Sequence, residues 1–280
     1  MRTADLFNFI KERHSIYLKR QAGVPKPWTS DSILQTYKFC NMYRELDTGT
    51  KWFADGWRKD NADDPDLWFN SLVYRFINWP ETMEEIGYGG WRESWFIDAI
   101  ECREARGQKI YSSAYMISTH GVAEKKSTYL AKSLTKIWAV RDELRYAPWE
   151  GLHSFHNRLM GQFDVGSFIA AQVVADCKYV GTMTMASDWW TFAASGPGSR
   201  RGLNRVCQAS PSNPPINEPW KEESWRKQLM ELKAEIDPLL KAAQMPKMHA
   251  QDLQNCLCEF DKYERIRLGE GRPKSKYPGV

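Results

Sequence analysis

Residues 196–205 read GPGSRRGLNR, with three glycines, a serine and three arginines in ten positions. Glycines free to take unusual backbone angles can turn several N–H groups toward one anion. Planar guanidinium groups add paired contacts to phosphate oxygens. Gly196, Gly198 and Gly202, with Arg200 and Arg201, are therefore the expected seat of a phosphate. The plainer reading is a tight turn with two exposed arginines. A Walker-type nucleotide loop is excluded as the holder, because no G-x-x-x-x-G-K-[ST] sequence occurs in the chain.

Just upstream, residues 161–188 run GQFDVGSFIAAQVVADCKYVGTMTMASD. Gly166 opens a helix of small residues, and Asp188 follows it by 22 positions. Backbone amides at such a helix start suit a DNA phosphate. A carboxylate at Asp188 can serve as a general base or stabilise a developing positive charge. The competing structural role is a helix cap before WWTFAAS.

Near the C-terminus, CEFDKYERIRLGEGRPKSKY (258–277) gives a helix face that is both charged and aromatic, through Glu259, Lys262, Tyr263 and Arg265, and runs on into a basic tail. Residues 11–44 form a second basic region, with seven Lys or Arg against Glu12 and Asp31. The formal net charge of only +4 says little, but clusters beside aromatics suggest nucleic acid. The 13 tryptophans include several in polar contexts, where an indole can stack on a base. No metal is expected: His249, Cys256 and Cys258 make a poor zinc set, because cysteines one residue apart on a helix rarely share an ion. Scattered cysteines fit a reducing compartment. With no apolar leader or spanning run, the expectation is a soluble intracellular protein with no membrane partner.

The elements that must position these residues are helical. Apolar periodicity predicts helices over 4–21 (with Leu6, Phe7, Ile10, His14, Tyr17 and Leu18 on one side), 32–46, 67–80, 91–107, 122–146, 149–160, 165–180, 220–236 and 248–269. The set at 29–31 (Thr, Ser, Asp) offers a cap for the second, and Gly107 a stop for the fourth. Only KIYSSAYM (109–116) alternates like a strand. Residues 209–219 read as an internal loop and 270–280 as an extended basic tail, giving one all-α domain over 1–280.

Two resemblances follow from these motifs. The Gly166-to-Asp188 segment resembles helix-hairpin-helix DNA glycosylases, with Asp164-Val165-Gly166 standing where that family has G-V-G; its first glycine is missing here. Taken in order, IYLKRQAGVPKPWTSDSILQTYKFCNMYRELD (16–47), VGSFIAAQVVADCKY (165–179), Asp188 with GPGSRRGLNR, and LCEFDKYERIRLGEGRPKSKY (257–277) resemble a phage thymine-hypermodification family. It comprises the helical domain of 5-hydroxymethyluracil DNA kinases and its stand-alone relatives, described as α-glutamyl/putrescinyl-thymine pyrophosphorylases and amino-acid:DNA transferases.

The resemblance implies a glycosylase-like helical fold and work on a flipped base in double-stranded DNA, in the cytoplasm of an infected bacterium. Without a phosphate loop, or room for a kinase domain before residue 16, the expectation moves from kinase to transferase: an amine such as an amino acid displaces the pyrophosphate of 5-pyrophosphoryloxymethyluracil. No cofactor is expected. Asp188, Arg200 and Arg201 are the implied catalytic set. Gly166, Lys178, Gly196, Gly198, Ser199, Asn204, Arg205, Trp28, Tyr43, Arg44, Glu259, Lys262, Tyr263 and Arg265 are the implied substrate and DNA contacts. A glycosylase excising a modified pyrimidine, or a non-catalytic DNA-binding partner of the kinase, are the alternatives.

Overall fold

The computed structural model describes residues 1–112, 119, 121–207, 216–271, 273 and 275–277. Contacts group these residues into two compact units, 1–47 with 190–280, and 48–189. Among the described residues the structure is helical, and its only β pairing is an antiparallel bridge between Tyr37 and Lys276. No described helix is long and apolar enough to cross a membrane. Of the expected strand, residues 113–116 lie outside the described residues, as do 209–215 of the loop and Arg272, Lys274 and 278–280 of the tail.

The chain opens with α1 (Thr3–Gln21), which buries Leu6, Phe9, Ile10, Arg13, His14 and Ile16. The buried stripe is rotated from the expected one: Phe9, Arg13 and Ile16 face inward, whereas Leu18 is exposed. A short helix follows, α2 (Ser32–Thr36), and Asp31 caps it by accepting from the Ile33 and Leu34 N–H groups at 2.8 and 3.0 Å. The expected helix over 32–46 stops here. From Tyr37 the backbone is extended up to a 3-10 turn at Arg44–Leu46, because distant groups take its hydrogen bonds.

The second unit begins at α3 (Thr48–Phe53), which widens into a π-turn over Ala54–Arg58. Its axis is α4 (Leu67–Ile77), in which every residue is buried. A fully buried helix must neutralise its charge, and Arg75 does so against Asp176, which is itself buried. Asn78 ends α4 in the left-handed conformation, and α5 (Pro80–Ile86) starts with proline at its first position, where no N–H is needed. Next come α6 (Glu93–Ala105), ended by Gly107 at φ +64°, then α7 (Lys126–Ala139) and α8 (Arg141–Leu144), which split the expected 122–146 helix at Val140. The unit closes with α9 (Leu152–Met160) and α10 (Ser167–Cys177), which pack on each other, α10 also on α4.

The chain then returns to the first unit through α11 (Pro197–Cys207), α12 (Glu222–Ala242) and α13 (Ala250–Arg267). Leu6, Ile10, Met42, Leu203, Trp225, Leu253 and Phe260 belong to its apolar core.

Candidate functional site

The glycine-arginine stretch is a helix. Residues 197–207 form α11, and none of Gly196, Gly198 and Gly202 has a positive φ, so no left-handed anion cradle is built from them. Two of the glycines serve packing instead. Gly198 and Gly202 lie four apart on the face toward α13. A Cβ on Gly198 would stand 2.5 Å from Cys258 Sγ, and one on Gly202 2.0 Å from the Leu257 carbonyl oxygen. Nothing lies within 4 Å of the corresponding point on Gly196.

The arginines of α11 point to carboxylates. Arg200 Nε donates to Ser195 Oγ at 2.7 Å, and its terminal nitrogen lies 3.1 Å from Glu222. Ser195 also gives both its N–H, at 3.0 Å, and its hydroxyl to Glu222. Burial would raise the Glu222 carboxyl, yet these hydrogen bonds hold it below the ordinary value. Arg201 and Arg205 share Asp261, at 2.9 and 2.8 Å, and Arg265 approaches the same carboxylate at 3.4 Å. Arg205 and Asp261 are both buried, and Arg205 reaches Glu270 as well. Ser199 Oγ is tied to Gly196 and buried, and the Asn204 side chain bonds the Ile216 and Glu218 carbonyls and Trp220.

The residues expected to line a pocket from the N- and C-terminal motifs come together around α13. Cys40 N–H donates to Glu259 at 2.9 Å, Arg44 N–H to Asp252 at 2.9 Å, and Asn41 N–H to Asp47 at 2.8 Å. Lys38 N–H donates to the Ser275 carbonyl. These bonds replace helical ones along 37–44, and those of Cys40 and Arg44 tie the segment to α13. Lys262 pairs with Glu259, donates to the Lys38 carbonyl and lies over the Phe39 ring. Tyr43 donates to the Pro246 carbonyl and Tyr263 to Asp31, and burial first of all raises both phenols. Arg44 is buried. Trp28 sits edge-on to Tyr277, with the Arg20 and Lys26 cations 5.4–5.6 Å from both rings. Tyr277 is buried and Trp28 half-buried.

In the second unit, α9 and α10 form a helical hairpin joined by 161–166. Gly166 caps α10 in an extended conformation, with open space in front of it. Asp164 takes φ +65°, the left-handed angle for which a glycine is the usual choice, and its carboxylate accepts from the Tyr129 hydroxyl at 2.9 Å. Phe163 and Phe168 stand exposed on either side of the turn.

Asp188 caps a helix, but a different one from that expected. Residues 189–195 are not helical, and the carboxylate instead accepts from the Leu152 and His153 N–H groups at 2.7 and 2.9 Å, closing the start of α9. A side chain on Gly151 would press against the same carboxylate at 3.1 Å. Lys178 is buried, with its ammonium 5.0 Å from the Trp189 ring. Asp188 and Lys178 thus belong to one unit, and Arg200 and Arg201 to the other. Sequence reasoning missed Glu222, Asp252 and Asp261, which read as the charge of a solvated face; for Asp252 and Asp261 only the neighbouring apolar residues signal burial.

Among the described residues no group of three or more His, Cys, Asp or Glu stands ready to hold a metal. His249 stacks on Trp190 at 4.4 Å between ring centres, and its N–H bonds Asp252, while the Cys256 thiol is buried against Met42.

The family described as "5-hmdU DNA kinase, helical domain" matches residues 2–272. A curated relative, the "5-hmdU DNA kinase" of Bacillus phage SP10, is 27% identical over 221 residues, or 70% of this chain and 35% of that protein. The chain thus spans about a third of the length of that relative. No solved structure matches. With all but the ends of the sequence matched, the chain belongs to the 5-hmdU DNA kinase helical-domain family.

Proposed function

We propose that the protein acts in thymine hypermodification of phage DNA, as a transferase that replaces the pyrophosphate of 5-pyrophosphoryloxymethyluracil with an amine. Family membership supports work on this base, through the activity in the name of its phage relative. These 280 residues carry no Walker-type loop, so phosphorylation through such a loop is not their chemistry.

The observation that carries the reading is the cluster of Arg200, Ser195 and Glu222. A guanidinium, a hydroxyl and a backbone N–H already converge there on a carboxylate, the set of donors that a phosphoryl oxygen accepts. Arg200 and Arg201 keep side-chain exposures of 35% and 31%, so either can leave its internal partner for an incoming anion. In the reaction, the amine nitrogen forms a bond to the methylene carbon. The carbon–oxygen bond to pyrophosphate breaks and its electron pair leaves with pyrophosphate, whose charge the arginines balance. The proton lost by the amine goes to water.

The test is to incubate the protein with pyrophosphorylated DNA and a panel of amino acids and diamines, then digest to nucleosides. The expected result is a mass gain equal to the amine less water, relative to 5-hydroxymethyl-2′-deoxyuridine, with pyrophosphate released. Unchanged nucleosides across the panel sink the reading. A glycosylase is the second reading, favoured by the α9–α10 hairpin and the left-handed Asp164 in place of a glycine. It requires abasic sites in DNA containing 5-hydroxymethyluracil, where the transferase leaves none.

A further inference from the structure

The loop between α9 and α10 carries an aromatic side chain into solvent on a fixed turn. Residues 162–165 form that turn, closed by the Val165 N–H, which donates to the Gln162 carbonyl at 3.1 Å. Phe163 and Asp164 are its central residues. Asp164 holds φ +65° at the corner where such a turn favours glycine. The Tyr129 hydroxyl fastens its carboxylate at 2.9 Å, and Val165 is buried behind it. The corner is thus held, yet Phe163 is 59% exposed. Phe168, in the first turn of α10, is 53% exposed, and Met160, at the end of α9, is exposed as well. Backbone strain that keeps a phenyl ring in water serves no core, and strain of this kind collects where a protein meets a ligand.

The charge around this corner suits a polyanion. From Gly151 to Ala175 the only carboxylate is that of Asp164, already bonded to Tyr129. The exposed polar residues of α9, Ser154 and Asn157, are neutral. From α7, Lys136 brings its ammonium 5.3 Å from the centre of the Phe163 ring, and it has no ion pair among the described residues. Lys132, one turn earlier, pairs with Glu124. The three apolar side chains expose roughly 300 Å² in all, far less than the about 800 Å² per partner that a stable protein interface buries. A wedge needs no such area: minor-groove proteins open a base step with an apolar side chain and hold the phosphates with cations.

We propose that this turn is a wedge for duplex DNA: Phe163 enters a base step from the minor groove, Phe168 and Met160 lie along the sugars, and Lys136 meets the adjacent phosphate. Opening the step costs stacking, which burial of the ring offsets. All of these residues belong to the second unit, so the wedge is complete within it. The inference rests on the reading that the protein works on DNA, and not on the chemistry of transfer.

The experiment uses the full chain and a short unmodified duplex with 2-aminopurine at its centre, whose emission rises when its stacking is broken. Affinity is read by fluorescence anisotropy over a range of salt concentrations. The parent is expected to bind and brighten the duplex. Phe163→Ala should lose the brightening and bind at least about fivefold more weakly, while Phe163→Leu, still an apolar wedge, should keep most of both. Lys136→Ala should keep the brightening and lower the slope of log affinity against log salt by about 1. No binding by the parent, binding without brightening, or a Phe163→Ala protein that brightens the duplex like the parent overturns the proposal. So does self-association of the parent that Phe163→Ala abolishes while duplex binding is unchanged, because the turn is then an interface between copies. The duplex carries no pyrophosphate and no amine is added, so failure here counts against the wedge alone. A wedge that stands while pyrophosphorylated DNA and amines give no product counts against the transferase reading alone.

Discussion

The Gly202 α-carbon packs so closely on the Leu257 carbonyl that a Cβ would sit 2.0 Å from its oxygen. No side-chain rotation relieves a clash with backbone. Gly202→Ala must therefore push α11 off α13, at about 3 kcal/mol or more. Gly198→Ala meets only the Cys258 sulfur, the movable end of a side chain, and should cost less than about 1 kcal/mol. Urea denaturation midpoints decide it; equal losses would mean that the helices are not held together at Gly202.

Asp188 has a structural duty at the start of α9. Asp188→Ala removes both bonds to the start of α9 and should cost about 1–2 kcal/mol. Asp188→Asn keeps an acceptor and should stay within about 1 kcal/mol of the parent. Equal losses for the two variants in urea denaturation would mean that the carboxylate does not hold the start of α9.

Glu222 occupies the cluster in which Arg200 would meet pyrophosphate. Removing its charge with Glu222→Gln should tighten the binding of inorganic pyrophosphate several-fold, and Arg200→Ala should weaken it. Arg200→Ala and Arg201→Ala should each lower turnover more than duplex binding. If binding and turnover fall together, the arginines contact the DNA backbone only. Titration calorimetry with pyrophosphate and a duplex binding assay give the two readings.

Asp47 titrates in an accessible range. Burial pushes its carboxyl up to about 6, against the opposing pull of the Asn41 N–H and Arg44. A raised acid is protonated more readily when folded than when unfolded, so its contribution is fully present below about pH 4 and is lost as pH rises through about 6. Asp47→Asn should erase that decline. Subtracting the variant's unfolding free energy from the parent's, measured from pH 4 to pH 7, should give a difference that falls over this window and then levels. A flat difference refutes the shift.

Much of the helical framework was legible in local signals. Asp31, Gly107 and Gly166 mark helix ends where the structure has them, because a cap acts within one turn of chain. The extended path from Tyr37 to Tyr43 was not legible. Apolar residues at helical spacing suggest a helix there, but Glu259 and Asp252, more than 200 residues later, take the backbone N–H groups. The same holds for GPGSRRGLNR, whose glycines read as an anion-holding turn until a facing helix supplies the reason for their smallness. Asp164 shows the converse: the missing glycine was visible, but that aspartate would keep the left-handed turn and fasten it to Tyr129 was not.

The carboxylates of α13 have a consequence for the order of events during synthesis. The unit from Thr48 to Trp189 is continuous, so all its parts are present once residue 189 has left the ribosome. The first 47 residues emerge earliest, yet the acceptors for Cys40 and Arg44 lie on the last long helix. The inserted unit can mature during translation, while the N-terminal segment waits for the final stretch of chain. A nascent chain stalled after residue 189 should therefore carry one protease-resistant unit behind a digestible N-terminal arm.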